Sequence, residues 1–119
     1  PISNVEISEG VKKIENHAFD SAKISTISFP TTLKYIENDA FRSSALKTLE
    51  LPEGLLTIGD SAFSNSKDLT SVTIPSTITN IGNSAFSSSG TGTIKINRLN
   101  LDGVTVGTNW NGNLTPEYN

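Results

Sequence analysis

The chain has 119 residues, a formal net charge of −3 and a pI of about 5.0. This length suits one domain, and the acidity argues against nucleic acid or an anionic membrane surface as a partner. The absence of Cys excludes disulfides and Cys-based zinc sites, and no run of 18 apolar residues is present to insert into a membrane. Because there is also no Met, we expect a processed or excised segment with any signal peptide outside it.

A unit of about 22 residues recurs along the chain and is marked by an Ala-Phe pair. The phenylalanines of these pairs lie 22, 22 and 23 residues apart, at Phe19, Phe41, Phe63 and Phe86. A fixed period of this length predicts a solenoid, whose coils bury their apolar faces only by stacking. The low apolar content of 34% suits this class, because each coil supplies few inward residues.

Every unit follows the same predicted path, beginning in the first unit at Ile2. In the fourth unit, residues 72–74 alternate apolar and polar, as in a short strand with one buried face. Pro75 then removes a backbone donor and turns the chain. A second short extended piece carries Ile78 and Ile81 inward. Since successive coils wind the same way, the strands should form a parallel sheet.

An Asx residue stands two positions before each Ala, at Asn16, Asn38, Asp60 and Asn83. Asx residues are typical of the N-cap of a short helical or 3₁₀ turn. We therefore expect one such turn per repeat, carrying the Ala-Phe pair. Its Phe should plug the core, so Phe41 and Phe63 should be almost fully buried against the Phe of adjacent coils.

The repeat pattern divides the chain into two parts. Residues 1–97 form the predicted solenoid, with four full repeats and the start of a fifth, and residues 98–119 form a degenerate C-terminal cap or tail. Asp102-Gly103 favours a two-residue hairpin turn within that tail. Trp110 lies 24 residues after Phe86, so we expect it to close the core in place of a fifth Phe. The alternative is that Trp110 and Tyr118 form a sugar-stacking or protein-binding platform.

The unit L-x-x-[VIL]-x-[IL]-P-x-x-[VIL]-x-x-I-[GE]-x-x-AF resembles the BspA-like, or Treponema-pallidum-type, leucine-rich repeat. The resemblance covers roughly residues 2–97, with four copies in register. It implies a short right-handed leucine-rich-repeat coil from a bacterial cell-surface or secreted protein. Better-known members bind host matrix proteins or mediate adhesion. The family usually has Cys three residues after the Phe, where this chain has Ala22, Ser44, Ser66 and Ser89.

No pattern of catalytic residues is apparent, so we expect neither an enzyme nor a cofactor. His17, the single histidine, lies in a variable column with Asp39, Ser61 and Ser84 and should face solvent without an obligatory contact. General acid–base chemistry normally needs a positioned partner for such a residue. Stacked Glu15 and Glu37 are candidates for a cation site, but we expect them to pair with neighbouring lysines, namely Lys12, Lys13 and Lys34.

The polar residues that alternate with buried ones in the strands should form one outward column, comprising Glu6, Ser28, Glu50, Thr73 and Lys95. We expect a host or bacterial surface protein to contact this column, with Lys12 and Lys34 at its edge. These features predict a non-enzymatic protein-binding or adhesion module, and the resemblance implies that it lies at the cell surface or outside the cell. The alternatives are a structural spacer or stalk and, through Trp110, a carbohydrate-binding module.

Overall fold

The computed structural model describes residues 3–119, and over this range the chain forms a parallel β-solenoid of eleven short strands without a helix. The predicted solenoid is therefore confirmed. Ile2, where the first repeat should begin, lies outside the described residues. In chain order the strands are β1 (Asn4–Glu6), β2 (Lys13–Ile14), β3 (Thr26–Ser28), β4 (Tyr35–Ile36), β5 (Thr48–Glu50), β6 (Thr57–Ile58), β7 (Ser71–Ile74), β8 (Asn80–Ile81), β9 (Gly92–Ile96), β10 (Thr105–Val106) and β11 (Leu114–Tyr118).

Odd-numbered and even-numbered strands stack in separate sheets, because each coil contributes one strand to either side. The even strands form a continuous sheet in the order β10-β8-β6-β4-β2. The odd strands form a β1-β3 pair and a β11-β9-β7-β5 sheet, all parallel. At the break between β3 and β5, the Ala45 amide still donates to the Ile24 carbonyl at 2.9 Å. Phe29, in the column where later coils carry Leu51 and Ile74, lies beside this break.

The core is a column of aromatic rings surrounded by aliphatic side chains from both sheets. Phe41, Phe63 and Phe86 are fully buried, as predicted for the first two. Their rings stack nearly parallel, with centroids 5.2 Å apart between Phe41 and Phe63 and 5.4 Å between Phe63 and Phe86. Phe19, in the first coil, stacks on Phe41 but is only partly buried. Each buried Phe therefore fills the space between two neighbouring coils.

Tight turns carry the Ala-Phe pairs, so the predicted short helical turn is not formed within residues 3–119. In the second coil the Ala40 amide donates to the Glu37 carbonyl, and the Arg42 amide donates to the Asp39 carbonyl, both at 3.3 Å. Asp39 and Ser43 have φ angles of 57° and 59°. Left-handed residues at these positions break the right-handed run that a helix requires.

The Asx column links coils instead of capping helices, which makes the N-cap prediction wrong. Asn38 Oδ1 accepts a hydrogen bond from the Asp60 amide, and Asp60 Oδ1 accepts one from the Asn83 amide, both at 2.8 Å. Asn83 Oδ1 in turn accepts from the Thr108 amide at 2.9 Å. Because the next coil lies directly beneath, its amide takes the acceptor that would otherwise cap a turn of the same coil.

Three of the four positions where the family usually has Cys are buried here. Ser66 is fully buried, and its hydroxyl lies 2.8 Å from that of Ser44. Ser89 is also buried and accepts a hydrogen bond from the Asn113 amide at 3.3 Å. Ala22 is exposed, however, because it belongs to the first coil, which has no described coil above it. The three Ser side chains therefore place a small polar group in the core at the positions where the family usually has Cys.

Residues 98–119 add β10 to the even-strand sheet and β11 to the odd-strand sheet. The predicted hairpin at Asp102-Gly103 is wrong, because the neighbouring strands pair in parallel with the preceding coil. The Val104 amide instead donates to the Leu101 carbonyl at 3.0 Å. The preceding coil has the same kind of turn, in which the Ile78 amide donates to the Pro75 carbonyl at 3.3 Å. This segment thus repeats the turn between the two sheets, with Gly103 at a φ of 81°.

Trp110 is half-buried and packs against the core, as a cap should. It does not replace the fifth Phe, however. The Phe86 amide donates to the Trp110 carbonyl at 3.0 Å, just as the Phe63 amide donates to the Ala85 carbonyl at 2.8 Å. Trp110 therefore stands in the Ala column, and Asn111 takes the position of the Phe.

Candidate functional site

The predicted outward column lies on the odd-strand sheet, and we call this surface the strand face. The side chains of Glu6, Ser28, Glu50 and Lys95 are exposed, and that of Thr73 is half-buried. Alternation along the strand produces this arrangement, because successive side chains point to opposite faces of a sheet. The residues of the column are also in register between paired strands, with Glu6 opposite Ser28 and Thr73 opposite both Glu50 and Lys95.

The strand face is longer than the sequence analysis predicted, and it is interrupted. Glu117 of β11 lies opposite Lys95 and extends the column by one coil. The neighbouring Pro116 obscured this strand, because Pro is confined to edge positions in sheets. The break between β3 and β5 separates Ser28 from Glu50. The column therefore consists of a pair of residues and a run of four.

A second outward column, missed in the sequence analysis, runs beside the first. It lies two residues earlier in each strand and is exposed throughout, comprising Asn4, Thr26, Thr48, Ser71, Thr93 and Thr115. Thr26 donates to the Asn4 side-chain oxygen at 2.6 Å, so these groups contact one another between coils. The strand face thus presents a charged column alongside a column rich in hydroxyl groups.

A cavity of about 290 Å³ opens where β1 and β3 end, lined by residues that include Glu6, Glu9 and Ser28. The Glu9 carboxylate accepts hydrogen bonds from the Thr31 amide at 2.8 Å and from its hydroxyl at 2.9 Å. Glu6 and Glu9 give this cavity a negative charge. With Glu50 and Glu117 further along, acidic groups outnumber the basic Lys95 on the strand face.

The lysines predicted at the edge of the face occupy adjacent coils. The Lys34 amide donates to the Lys12 carbonyl at 2.8 Å; the Lys12 side chain is exposed and that of Lys34 is half-buried. Glu37 pairs as expected with one of the three named lysines, Lys13, whose Nζ lies 3.6 Å from Glu37 Oε2. The pair is substantially exposed, so it adds little to stability.

His17 is exposed, as predicted, but it contacts two carboxylates. Its Nδ1 lies 3.0 Å from Asp20 Oδ2, and its Nε2 lies 3.6 Å from Asp39 Oδ2. Arg42 binds the same Asp20 carboxylate at 2.7 and 3.1 Å. The hydrogen bond from Arg42, followed by that from His17, lowers the pKa of Asp20. The sequence predicted the exposure of His17 but not these contacts, which form because the turn brings Asp20 back to His17 and stacking brings Asp39 beside it.

Residues 3–119 contain no cluster of three or more His, Cys, Asp or Glu side chains arranged to hold a metal ion. Over the same range, no helix has the length and hydropathy to cross a bilayer.

The architecture and the repeat sequence together define a leucine-rich-repeat solenoid. The family model described as the BspA type leucine rich repeat region matches residues 1–105 in six copies. The chain therefore belongs to the BspA-type leucine-rich-repeat family. No curated protein gives a significant match.

Two solved structures resemble this chain. The pneumococcal vaccine antigen PcpA superposes with a TM-score of 0.81 at 32% identity, over 98% of this chain and 30% of that one. A leucine-rich cell-surface protein from Faecalibacterium prausnitzii A2-165 superposes with a TM-score of 0.62 at 22% identity, over 96% of this chain and 40% of that one. The chain thus spans less than half the length of either structure. These relationships show the same leucine-rich-repeat fold.

Proposed function

We propose that this chain is a non-enzymatic protein-binding module of a bacterial cell-surface protein, and that it binds through the strand face. The observation that carries the proposal is the register of the exposed polar column along the odd strands. Side chains aligned in this way point outward together at a spacing of ~4.8 Å between strands. Repeat solenoids generally use such extended surfaces to bind other proteins.

The charges on the strand face favour a partner that presents basic side chains. Glu6, Glu50 and Glu117 are exposed, and the cavity beside Glu6 adds the carboxylate of Glu9. Charge complementarity of this kind mainly steers association and sets specificity. Since the strand face carries few large apolar anchors, one copy should bind weakly. Useful adhesion would require several copies acting together.

The relatives support the proposed location at the cell surface. One structural relative is a vaccine antigen and the other is a cell-surface protein. A host matrix protein or a protein on another bacterium would fit an adhesion role at that location.

The test reverses three charges together, by Glu6→Lys, Glu50→Lys and Lys34→Glu. Beads carrying many copies of the parent or the variant are applied to immobilised fibronectin, laminin and fibrinogen. We expect the parent to adhere to at least one of them and the triple variant to lose most of that adhesion. A matched control reverses Glu15→Lys, Asp68→Lys and Lys67→Glu, which gives the same net charge change at exposed residues outside the strand face. Equal adhesion of parent and triple variant would exclude the strand face.

A structural spacer is the second candidate, because the turns that carry the Phe residues are rich in Ser and contain few aromatic anchors of the type that interfaces use. A spacer predicts no adhesion of the parent beads to any of the three matrix proteins. It also predicts that the full-length protein adheres equally well when this segment is replaced by another solenoid of the same length.

A further inference from the structure

A groove runs along the even-strand sheet, on a different surface from the strand face. Two adjoining cavities of about 300 and 350 Å³ form it and share Asn38, Thr57 and Gly59. One wall consists of outward side chains in register along four strands, namely Tyr35, Thr57, Asn80 and Thr105. The other wall is the Asx column. The groove is therefore elongated along the axis on which the coils stack.

The Asx wall retains unused hydrogen-bonding groups. Each of Asn38, Asp60 and Asn83 uses one side-chain oxygen to bind the amide of the next coil. The remaining groups are an amide nitrogen, a carboxylate oxygen and a second amide nitrogen, and they make no hydrogen bond within residues 3–119. Donor, acceptor and donor thus alternate along the groove at a spacing of ~4.8 Å.

The glycines on the floor of the groove are explained by packing between coils. A Cβ atom at Gly59 would lie 2.6 Å from Asn38 Oδ1, and one at Gly82 would lie 2.5 Å from the Asp60 amide nitrogen. Neither position has room for a side chain. The glycines are therefore required by the packing of the coils, and the groups available to a ligand lie on the two walls.

Tyr35 supplies the aromatic surface of the groove. It lies at one end and is 40% exposed, which makes it one of the few large hydrophobic side chains that face solvent among the described residues. Its neighbours in register on the adjacent coils are Lys13 of β2 and Thr57 of β6. An exposed ring beside a row of amide, hydroxyl and carboxylate groups combines one flat apolar surface with many hydrogen-bonding groups.

We propose that this groove binds a linear, uncharged polysaccharide. The hydroxyl groups of such a chain both donate and accept, so they match the alternating groups of the Asx wall. The apolar face of one sugar ring can lie on Tyr35, as amphipathic ligands do on Tyr and Trp. Asp60 lines the groove with one carboxylate oxygen that makes no hydrogen bond among the described residues, and its charge disfavours a polyanion. Polar side chains line both walls, so a lipid or the apolar face of a helix would leave their hydrogen-bonding groups unpaired.

The experiment titrates the ¹⁵N-labelled chain with neutral hexasaccharides of β-1,4-glucose, β-1,3-glucose and β-1,4-mannose. We expect at least one to shift the side-chain amide resonances of Asn38, Asn80 and Asn83. Tyr35→Ala should weaken that binding about three- to tenfold, the range expected for loss of an aromatic contact. Tyr35→Phe keeps the ring and should retain most of the affinity. Asp60→Asn keeps the structural oxygen and should weaken binding without lowering the melting temperature appreciably.

The matched control is Tyr118→Ala, which removes a ring of similar exposure, 43%, from the odd-strand sheet. It should leave the titration unchanged. The proposal is overturned if none of the three hexasaccharides binds at millimolar concentration, or if binding depends on Tyr118 or Trp110 instead of Tyr35. It is also overturned if a hyaluronan hexasaccharide or a flexible Gly-Ser peptide competes equally for the groove. None of these outcomes depends on protein binding at the strand face.

Discussion

The ring of Phe63 lies parallel to that of Phe41, with an interplanar angle of 2° and centroids 5.2 Å apart. Phe86 stacks on the opposite side of Phe63 at 5.4 Å, so two coils share each ring. This spacing is slightly larger than the ~4.8 Å between paired strands. The aromatic column and the sheets therefore advance together along the stack, and the loss of one ring affects the coils on both sides.

Replacing Phe63 with Ala should lower the free energy of unfolding by about 3–5 kcal/mol, the usual cost of removing a buried Phe. The loss is large because the residue is fully buried between two rings that have no other partner at that position. Urea denaturation followed by circular dichroism measures the effect. Phe63→Leu serves as the control and should cost less. An unfolding curve of the Ala variant that overlays the parent would show that Phe63 does not plug the core.

Replacing Ser66 with Ala should lower the free energy of unfolding by about 1–3 kcal/mol, because the buried Ser44 hydroxyl loses its partner. The variant with both Ser44→Ala and Ser66→Ala should cost less than the sum of the two single changes. A double-mutant cycle in urea measures this coupling. Strictly additive costs would contradict a hydrogen bond between the two hydroxyls.

Replacing Asn38 with Ala removes the oxygen that accepts from the Asp60 amide and should destabilise the chain by about 1 kcal/mol. Asn38→Asp keeps an oxygen at this position and should cost less, as natural Asp60 serves in the same column. Comparison of the urea midpoints of the two variants tests the link between coils. If Asp proved as costly as Ala, the contribution of the hydrogen bond would be refuted.

Asp20 should make stability depend on pH in the acidic range. Arg42 first, and then His17, lower the pKa of Asp20 in the folded chain. The unfolded chain therefore binds this proton more readily, so the stabilising contribution is fully present above the ordinary Asp pKa of about 4 and is lost as pH falls through the lower folded value.

The measurement for Asp20 is the melting temperature of the parent and of Asp20→Asn between about pH 7 and pH 2. We expect the parent to melt higher near neutral pH and the difference to shrink as the pH falls below about 4. Asp68→Asn, at an exposed position elsewhere, is the control. A difference that stays constant over the whole range would show that the Arg42 interaction contributes nothing through this titration.

The period of the phenylalanines was sufficient to predict the solenoid, its parallel strands and the burial of Phe41 and Phe63. The prediction of a short helical turn around each Phe was wrong, because an Asx residue occupies the same place in the sequence whether it caps its own turn or binds the next coil. Asn38 binds the next coil, because the Asp60 amide lies directly below it. The sequence placed Trp110 in the Phe column instead of the Ala column, because the segment after Asn97 departs from the repeat length.

The strand face could be predicted because alternation alone determines which side chains point outward. The break between Ser28 and Glu50 could not be predicted, because it depends on the spacing of whole strands. The local sequences of β3 and β5 differ little and give no sign of it. The groove was missed for a related reason. Its walls combine one side chain from each of several coils, and the unused atoms of Asn38 and Asn83 are recognisable only after their bonds to neighbouring amides are known.

The missing ladder between β3 and β5 bears on how the protein comes apart. Coils in a stack stabilise their immediate neighbours, so a weak junction divides the array into blocks that open separately. The even-strand sheet and the aromatic column join the first two coils to the rest. On the side of the odd strands, only part of the hydrogen bonding found between other neighbouring coils is present. Amide hydrogens of β1 and β3 should therefore exchange with solvent well before those of β7 and β9, and the amino-terminal pair of coils should melt while the remainder stays folded.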